Sequence, residues 1–342
     1  MTPALASSPT APPKLNWQKI VAKYQTPDLR KSLWQVANSF LPFFGLWVLM
    51  YLSLEVSYWL TLALAVVTAG FMTRIFIILH DCGHGSFFKS QKASDFLGSV
   101  CGVLTFTPYF QWRHNHAQHH ATAGDLDRRV GWDLPITLTV KEYLQLPRWK
   151  QWAYRLYRHP LILFGLIPIA LFIVGQRLVS PKSGRRERFS VHLTNLAVLA
   201  IGLTLIWAIG LQNYLLIQLP VLVTSATLGV WLFYVQHQFE DTYWAHNEEW
   251  DYSLAALKGS SYYKLPKVLQ WFTGNIGLHH IHHLSSRIPN YALQKCHDDN
   301  PQFQQVNTIT LVSSLKSLSL RLWDEERQKL IGFGHLKSLP AE

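Results

Sequence analysis

Residues 58–84 read YWLTLALAVVTAGFMTRIFIILHDCGH. From Tyr58 to Leu79 the side chains are apolar, aromatic or small, with Arg74 the single cation. Spanning a bilayer takes about 20 such residues, and this run has enough. It stops on His80-Asp81-Cys82-Gly83-His84, where two imidazoles stand four positions apart. On a helix those two share a face. The stretch therefore predicts a helix that crosses lipid and carries nitrogen ligands at its exit. Arg74 lies about one turn inside that exit, near enough to snorkel.

The rest of the chain agrees with a membrane reading. Of 342 residues, 49% are apolar or aromatic and only 15% are charged, where a soluble domain carries about 25%. With 14 Trp, 14 Tyr and 18 Phe the chain has the aromatic load that membrane interfaces favour. These figures exclude disorder and a soluble Rossmann-type enzyme. The formal charge of +11 suits cytoplasmic loops held by the positive-inside rule better than a nucleic-acid partner. Cys82, Cys101 and Cys296 are odd in number, far apart and form no CxxC, so we expect reduced thiols rather than a disulfide framework.

We expect spans at about 33–54, 58–79, 193–210 and 215–235, giving an all-α integral membrane protein with four transmembrane helices. Lys14, Lys19, Lys23, Arg30 and Lys31 precede the first span and no cation lies in the link Glu55–Ser57. Both termini and the histidine side are therefore read as cytoplasmic. Residues 1–30 read as a flexible tail and 31–342 as one domain. The apolar run 161–179 has cations on both flanks and Pro168 inside, so a bent, re-entrant segment is expected. Phe96–Phe110 is too short to cross. The link Leu211–Tyr214 reads as an outer turn. Thr308–Leu330 reads as an amphipathic surface helix.

Ten of the 16 His fall in three windows. After His80/His84 comes His114-Asn115-His116-Ala117-Gln118-His119-His120, then His279-His280-Ile281-His282-His283. His116, His119 and His120 are i, i+3 and i+4, as are His279, His282 and His283, so each box can turn its nitrogens to one side. His237 follows directly on the fourth span. These nine imidazoles exceed what one tetrahedral zinc can use and suit two metal ions with four or five ligands each, as a histidine-rich cytoplasmic cap. Imidazole accepts Fe, Zn, Cu or Ni alike. His114 and His280 point off the shared faces. One or two of Asp81, Asp125, Asp127, Glu240, Asp241, Asp298 and Asp299 are expected to orient ligand rings. There is no HExxH for a zinc protease and no GxSxG for a serine hydrolase.

The order HxxxH, HxxHH, HxxHH between two pairs of spans resembles the membrane fatty acid desaturase family. So do His80–Phe88, Phe233–Glu240, Gly259–Pro266, Gly274–Gly277 and Ser285–Tyr291, and the likeness covers roughly residues 30–300. It is closest to bacterial acyl-lipid enzymes of the omega-6 (delta-12) or delta-5 type. The resemblance implies a non-haem di-iron centre that uses O2 to place a cis double bond in a membrane-lipid acyl chain. It carries the family's ligands onto His80, His84, His116, His119, His120, His279, His282 and His283, with His237 as the additional one. His114 extends the second box beyond the family's pattern. Electrons would come from an external carrier, ferredoxin or flavodoxin, since no haem or flavin motif is visible in the chain. The implied setting is an inner, plasma or thylakoid-type membrane. A membrane di-iron hydroxylase or ketolase acting on alkanes or carotenoids is the alternative on the same metal site. A metal transporter would instead need ligands within its spans.

Overall fold

The computed structural model describes residues 16–129, 135–181 and 183–338. Of the tail expected over residues 1–30, residues 1–15 lie outside them, and the rest is not a tail. From Asn16 onward the chain is folded. Helix α1 (Trp17–Val21) is capped by the Asn16 side chain, and its buried Val21 packs with Ile281 and Leu284 of the third histidine box.

Four helices are long and apolar enough to cross a membrane. The first two are α2 (Leu29–Ser53), started by Asp28, whose carboxylate accepts from the Arg30 and Lys31 amides, and α3 (Tyr58–His84). Gly85 at φ +66° ends α3, a left-handed position a Cβ would strain. Two shorter helices follow, α4 (Gln91–Leu104) and α5 (Tyr109–Thr122). They fold back on α3, with the Tyr109 hydroxyl donating to the Cys82 carbonyl at 2.8 Å. Gly98 lets them close up: a Cβ there would meet the Tyr109 ring at 2.3 Å.

Strand β1 (Leu138–Thr139), α6 (Val140–Gln145) and α7 (Arg148–Tyr157) precede the run expected to be re-entrant. That run is a π-helical turn (Ile162–Leu166), α8 (Ile167–Ile173) and a 3-10 turn (Gly175–Arg177), bent by 58° from α7. Both its ends are tied to the histidine side. Arg158 donates to Gln238 Oε1 at 2.9 Å, just after His237, and the Ser180 amide donates to Gln111 Oε1 of α5 at 2.9 Å.

The second pair of long helices is α9 (Arg185–Ile209) and α10 (Leu211–His237). Gly210 at φ +84° reverses the chain by itself, so the expected turn Leu211–Tyr214 is the first turn of α10. The spans are longer than their apolar runs, and α3 and α10 continue through His84 and His237 in unbroken helix. Helix α3 is the central one, with 56% of its most apolar stretch buried against 17–22% in the other three. It packs along both α2 and α10. Arg74 does not snorkel. It is buried, stacks on Trp271 at 3.9 Å and donates to the Trp271 carbonyl.

The remaining chain forms a cap: α11 (Tyr252–Lys258), β2 (Tyr262–Lys264), α12 (Lys267–Phe272), α13 (His279–Leu284) and α14 (Asn290–Asp298). The expected helix Thr308–Leu330 is not one. It is β3 (Thr308–Thr310), α15 (Leu311–Ser314), a 3-10 turn, β4 (Leu322–Asp324) and β5 (Lys329–Ile331). The charged run Asp324-Glu325-Glu326-Arg327 leads through a hairpin turn, in which Asp324 Oδ1 accepts from the Glu326 and Arg327 amides at 3.1 Å each. Strand β4 pairs parallel with β1 and antiparallel with β5, and β2 pairs parallel with β3. These two small sheets close the cap beneath which the histidines meet.

Candidate metal centre

Four helices deliver the nine imidazoles. α3 ends with His80 and His84, α5 carries His116, His119 and His120, α10 ends with His237, and α13 is almost wholly the third box. They gather into two clusters. His80, His84, His116, His120 and His282 form one; His119, His237, His279 and His283 form the other. Within each cluster the candidate ligand atoms all lie within 4.8 Å of one another.

The second and third boxes do not each serve one point. His116 and His120 go to the five-membered cluster and His119 to the other; His279 and His283 stay together while His282 crosses over. Helical geometry explains the split. At about 100° per residue, i and i+4 lie about 40° apart, while i+3 lies on the opposite side of i, about 100° from i+4. Each box therefore bridges both clusters. The stacked rings of His120 and His283, 4.2 Å between centroids, mark where the two meet.

Several Nε2 atoms each have two nitrogen neighbours at hydrogen-bond distance, one more than an imidazole nitrogen can serve. His282 Nε2 lies 3.0 Å from both His80 Nε2 and His120 Nε2. His283 Nε2 lies 3.2 Å from His119 Nε2 and 3.1 Å from His279 Nε2, which is itself 2.9 Å from His237 Nε2. A ring nitrogen has one hydrogen or one lone pair in the ring plane, so it serves one such partner, not two. His84 Nε2 is buried with no hydrogen-bond partner at all. Nitrogens held about 2.1 Å from a common ion at right angles stand about 3.0 Å apart; at a tetrahedral angle they stand about 3.4 Å apart. The spacing fits imidazoles gathered around one metal ion in each cluster.

The protonation state fits too. Burial, helped by neighbouring imidazoles, pushes His116, His119, His120, His279, His282 and His283 well below the ordinary histidine value. They are neutral at physiological pH, with a lone pair to give. Two rings are aimed from behind. His80 Nδ1 is 3.2 Å from Asp81 Oδ1, and His237 Nδ1 is 3.1 Å from the Gly259 carbonyl. Asp81 Oδ2 accepts from the Asn290 amide at 2.7 Å and from Asn290 Nδ2 at 2.8 Å, and Gln35 of α2 donates to Asn290 Oδ1. Among the acids singled out in the sequence, Asp81 is the one whose side chain touches a cluster histidine. Asp125, Asp127, Glu240 and Asp299 pair with Arg128, His246, Lys329 and Lys295 instead. Gln35, Asn290 and Tyr252, whose hydroxyl donates to the His283 carbonyl at 2.7 Å, escape sequence reasoning. Only Asn290 carried a signal there, inside the stretch Ser285–Tyr291.

His114 is exposed and touches Gln118. His280 belongs to neither cluster, yet it is fully buried, with Nε2 donating to the Phe303 carbonyl at 2.9 Å and its pKa pushed down to about 3 by burial. Replacing it by Ala should leave bound metal unchanged while costing about 1–3 kcal/mol of stability through the orphaned carbonyl. Metal content beside thermal melting of the purified protein checks this. Parallel loss of metal would refute it.

A model of the fatty acid desaturase family matches residues 57–309, which holds all nine cluster histidines. The chain belongs to this family. It is 51% identical over 323 residues to a fatty acid desaturase of Bacillus subtilis, covering 94% of this chain and 92% of that one. It is 27% identical over 256 residues to an sn-1 oleoyl-lipid 12-desaturase of Anabaena variabilis, covering 71% and 70%. It is 28% identical over 235 residues to an sn-1 acyl-lipid omega-3 desaturase (ferredoxin) of Synechocystis, covering 65% and 62%. The protein is thus a desaturase, an oxidoreductase, with two histidine clusters able to hold metal.

An apolar cavity of about 150 Å³ lies between this desaturase's long helices and its histidine clusters. Met72 and Phe76 of α3, Phe172 of α8 and Leu222, Ala226 and Phe233 of α10 line it, and it ends on His80, His116 and His279. It therefore touches both clusters.

Proposed function

We propose that the protein is an O2-dependent acyl-lipid desaturase that places a cis double bond in a membrane-lipid chain, at the delta-12 (omega-6) position or, failing that, delta-5. The apolar cavity ending on both histidine clusters is the observation that carries this reading. The nine histidines His80, His84, His116, His119, His120, His237, His279, His282 and His283 would hold two irons, as one domain spanning residues 31–342. Bound there, iron supplies the oxidant that removing hydrogen from an unactivated methylene requires and that no amino-acid side chain provides. The reaction balances as –CH2–CH2– plus O2, two electrons and two protons giving –CH=CH– and two waters. The electrons come from ferredoxin or flavodoxin. The chain's own part is to thread the acyl tail past Met72, Phe76 and Leu222, to exclude water with those side chains, and to stop the reacting carbons beside His80 and His279.

Expression in a host that makes only saturated and monounsaturated chains tests this, with mass spectrometry of derivatised methyl esters locating each new bond. A new double bond at one fixed position is expected. An inserted oxygen would mean a hydroxylase or ketolase instead. Gly229 lines the same cavity, with open space where a Cβ would stand. Gly229→Phe should fold, keep its metal and lower turnover at least about tenfold by filling the channel. Full activity on the original chain would count against that route.

We also assign the histidine side to the cytoplasm. Cys82, Cys101 and Cys296 are all buried, while Arg185 at the head of α9 is exposed. Ser183, just before α9, is buried against Gln111, so the probe is Arg185→Cys. It should react with membrane-permeant maleimides only. Labelling by an impermeant reagent from outside intact cells would reverse the topology.

A further inference from the structure

Helix α7 has the sequence Arg148-Trp149-Lys150-Gln151-Trp152-Ala153-Tyr154-Arg155-Leu156-Tyr157. Tyr154 and the following Arg158 are buried, and they fix which side faces the protein. At about 100° per residue, Trp149, Trp152 and Leu156 fall on the side directly opposite. They are 68%, 72% and 62% exposed. This is an aromatic stripe turned away from its own protein. Cations border the stripe: Arg148 and Arg155 lie along one side of it, and the Lys150 ammonium stands over the Trp149 ring, 5.5 Å from its centroid. Arg155 is partly engaged, donating to the Tyr143 hydroxyl at 2.7 Å, but Arg148 and Lys150 are exposed with no ion pair among the described residues. No Asp or Glu occurs from residue 143 to 186, a stretch that holds eight Lys and Arg.

An outward Trp/Leu stripe bordered by cations is the arrangement that lies in a bilayer interface, with rings among the headgroups and cations at the phosphates. The chain then turns by 58° into the segment that supplies Leu171, Phe172 and Gln176 to the acyl cavity. The Phe164 carbonyl accepts from Thr227 Oγ1 of α10 at 2.9 Å and pins that segment. The basic helix therefore stands directly before the wall of the channel. We propose that α7 binds the phosphates of acidic glycerophospholipids and so selects anionic lipids as the acyl carriers that feed the channel. This rests on the acyl-lipid reading above for the carrier role, but not for the binding itself.

The full-length protein is reconstituted in phosphatidylcholine vesicles containing increasing fractions of phosphatidylglycerol, beside the double variant Arg148→Gln, Lys150→Gln. Neither residue touches a cluster histidine or the cavity. The first readout is the lipid retained on the protein after detergent extraction, measured by mass spectrometry. The wild type should enrich phosphatidylglycerol over bulk by about five- to twentyfold at low ionic strength, falling with salt, and the variant should approach the bulk ratio. The second readout is desaturation. Phosphatidylglycerol should lower the apparent KM of the wild type with kcat unchanged, and the variant should lose that response while keeping its metal. No enrichment in the wild type, or undiminished enrichment in the variant, overturns the proposal. So does unchanged lipid retention with a loss only of donor-dependent rate, which would make α7 a landing site for an acidic protein. Enrichment without any double bond in the lipid-bound chains of either protein would instead overturn the acyl-lipid reading and leave the lipid site standing.

Discussion

His120→Ala abolishes desaturation, with turnover down at least about a hundredfold and bound metal lowered to about half of what the wild type holds. The size of the effect follows from its position. His120 Nε2 stands 3.1 Å from His116 Nε2 and 3.0 Å from His282 Nε2, between helices α5 and α13, and its ring stacks on His283 of the other cluster. Removing it takes one of five nitrogens from the first cluster and unpacks the seam between the two. His114→Ala, in the same helix six residues earlier, is the control. Its ring is exposed, so turnover should stay within about twofold. Product yield normalised to protein and to iron separates the two variants. Equal losses in both would mean that the second box binds in another register.

The second large effect belongs to a residue that contacts no substrate. Asp81→Ala should weaken metal retention about ten- to a hundredfold, because nothing then holds the His80 ring with Nε2 toward its cluster. It also strips a buried acceptor from the Asn290 amide and side chain, at about 1–3 kcal/mol of stability. Asp81→Asn keeps an oxygen in place and should lie between. The check is the rate at which iron leaves each protein during dialysis against a chelator, beside its melting temperature. Wild-type retention in Asp81→Ala would show that the α3 backbone alone orients His80.

Much of this was legible along the chain because the bilayer is an unforgiving solvent. Unpaired backbone groups cannot face lipid, so an apolar run such as Tyr58–Leu79 has one structure open to it in a chain of this kind, a helix. The same regularity makes HxxxH and HxxHH meaningful before any fold is known, since helical spacing fixes which side chains share a face. Outside lipid that constraint lapses. Thr308–Leu330 has leucines at mixed spacings, and partners elsewhere decided its form: β4 found β1 and β5, and Asp324 capped a turn. Propensity is a weak prior in such a segment, and tertiary pairing overrode it.

The nine candidate nitrogens, the four spans and the bent run before α9 were thus determined by the sequence, each from local periodicity, length or flanking charge. Which nitrogen joins which was not. His119 and His120 are neighbours in the chain and serve different clusters, while His80 and His282 stand 202 positions apart and meet at 3.0 Å. The angles at which α3, α5, α10 and α13 converge set those meetings, and no single helix encodes its crossing angle with the next. The same holds for Asn290 beneath Asp81 and for the cavity between α3, α8 and α10. Contacts between distant segments are settled by packing the whole chain, because each side chain's partner is chosen by what every other element leaves uncovered.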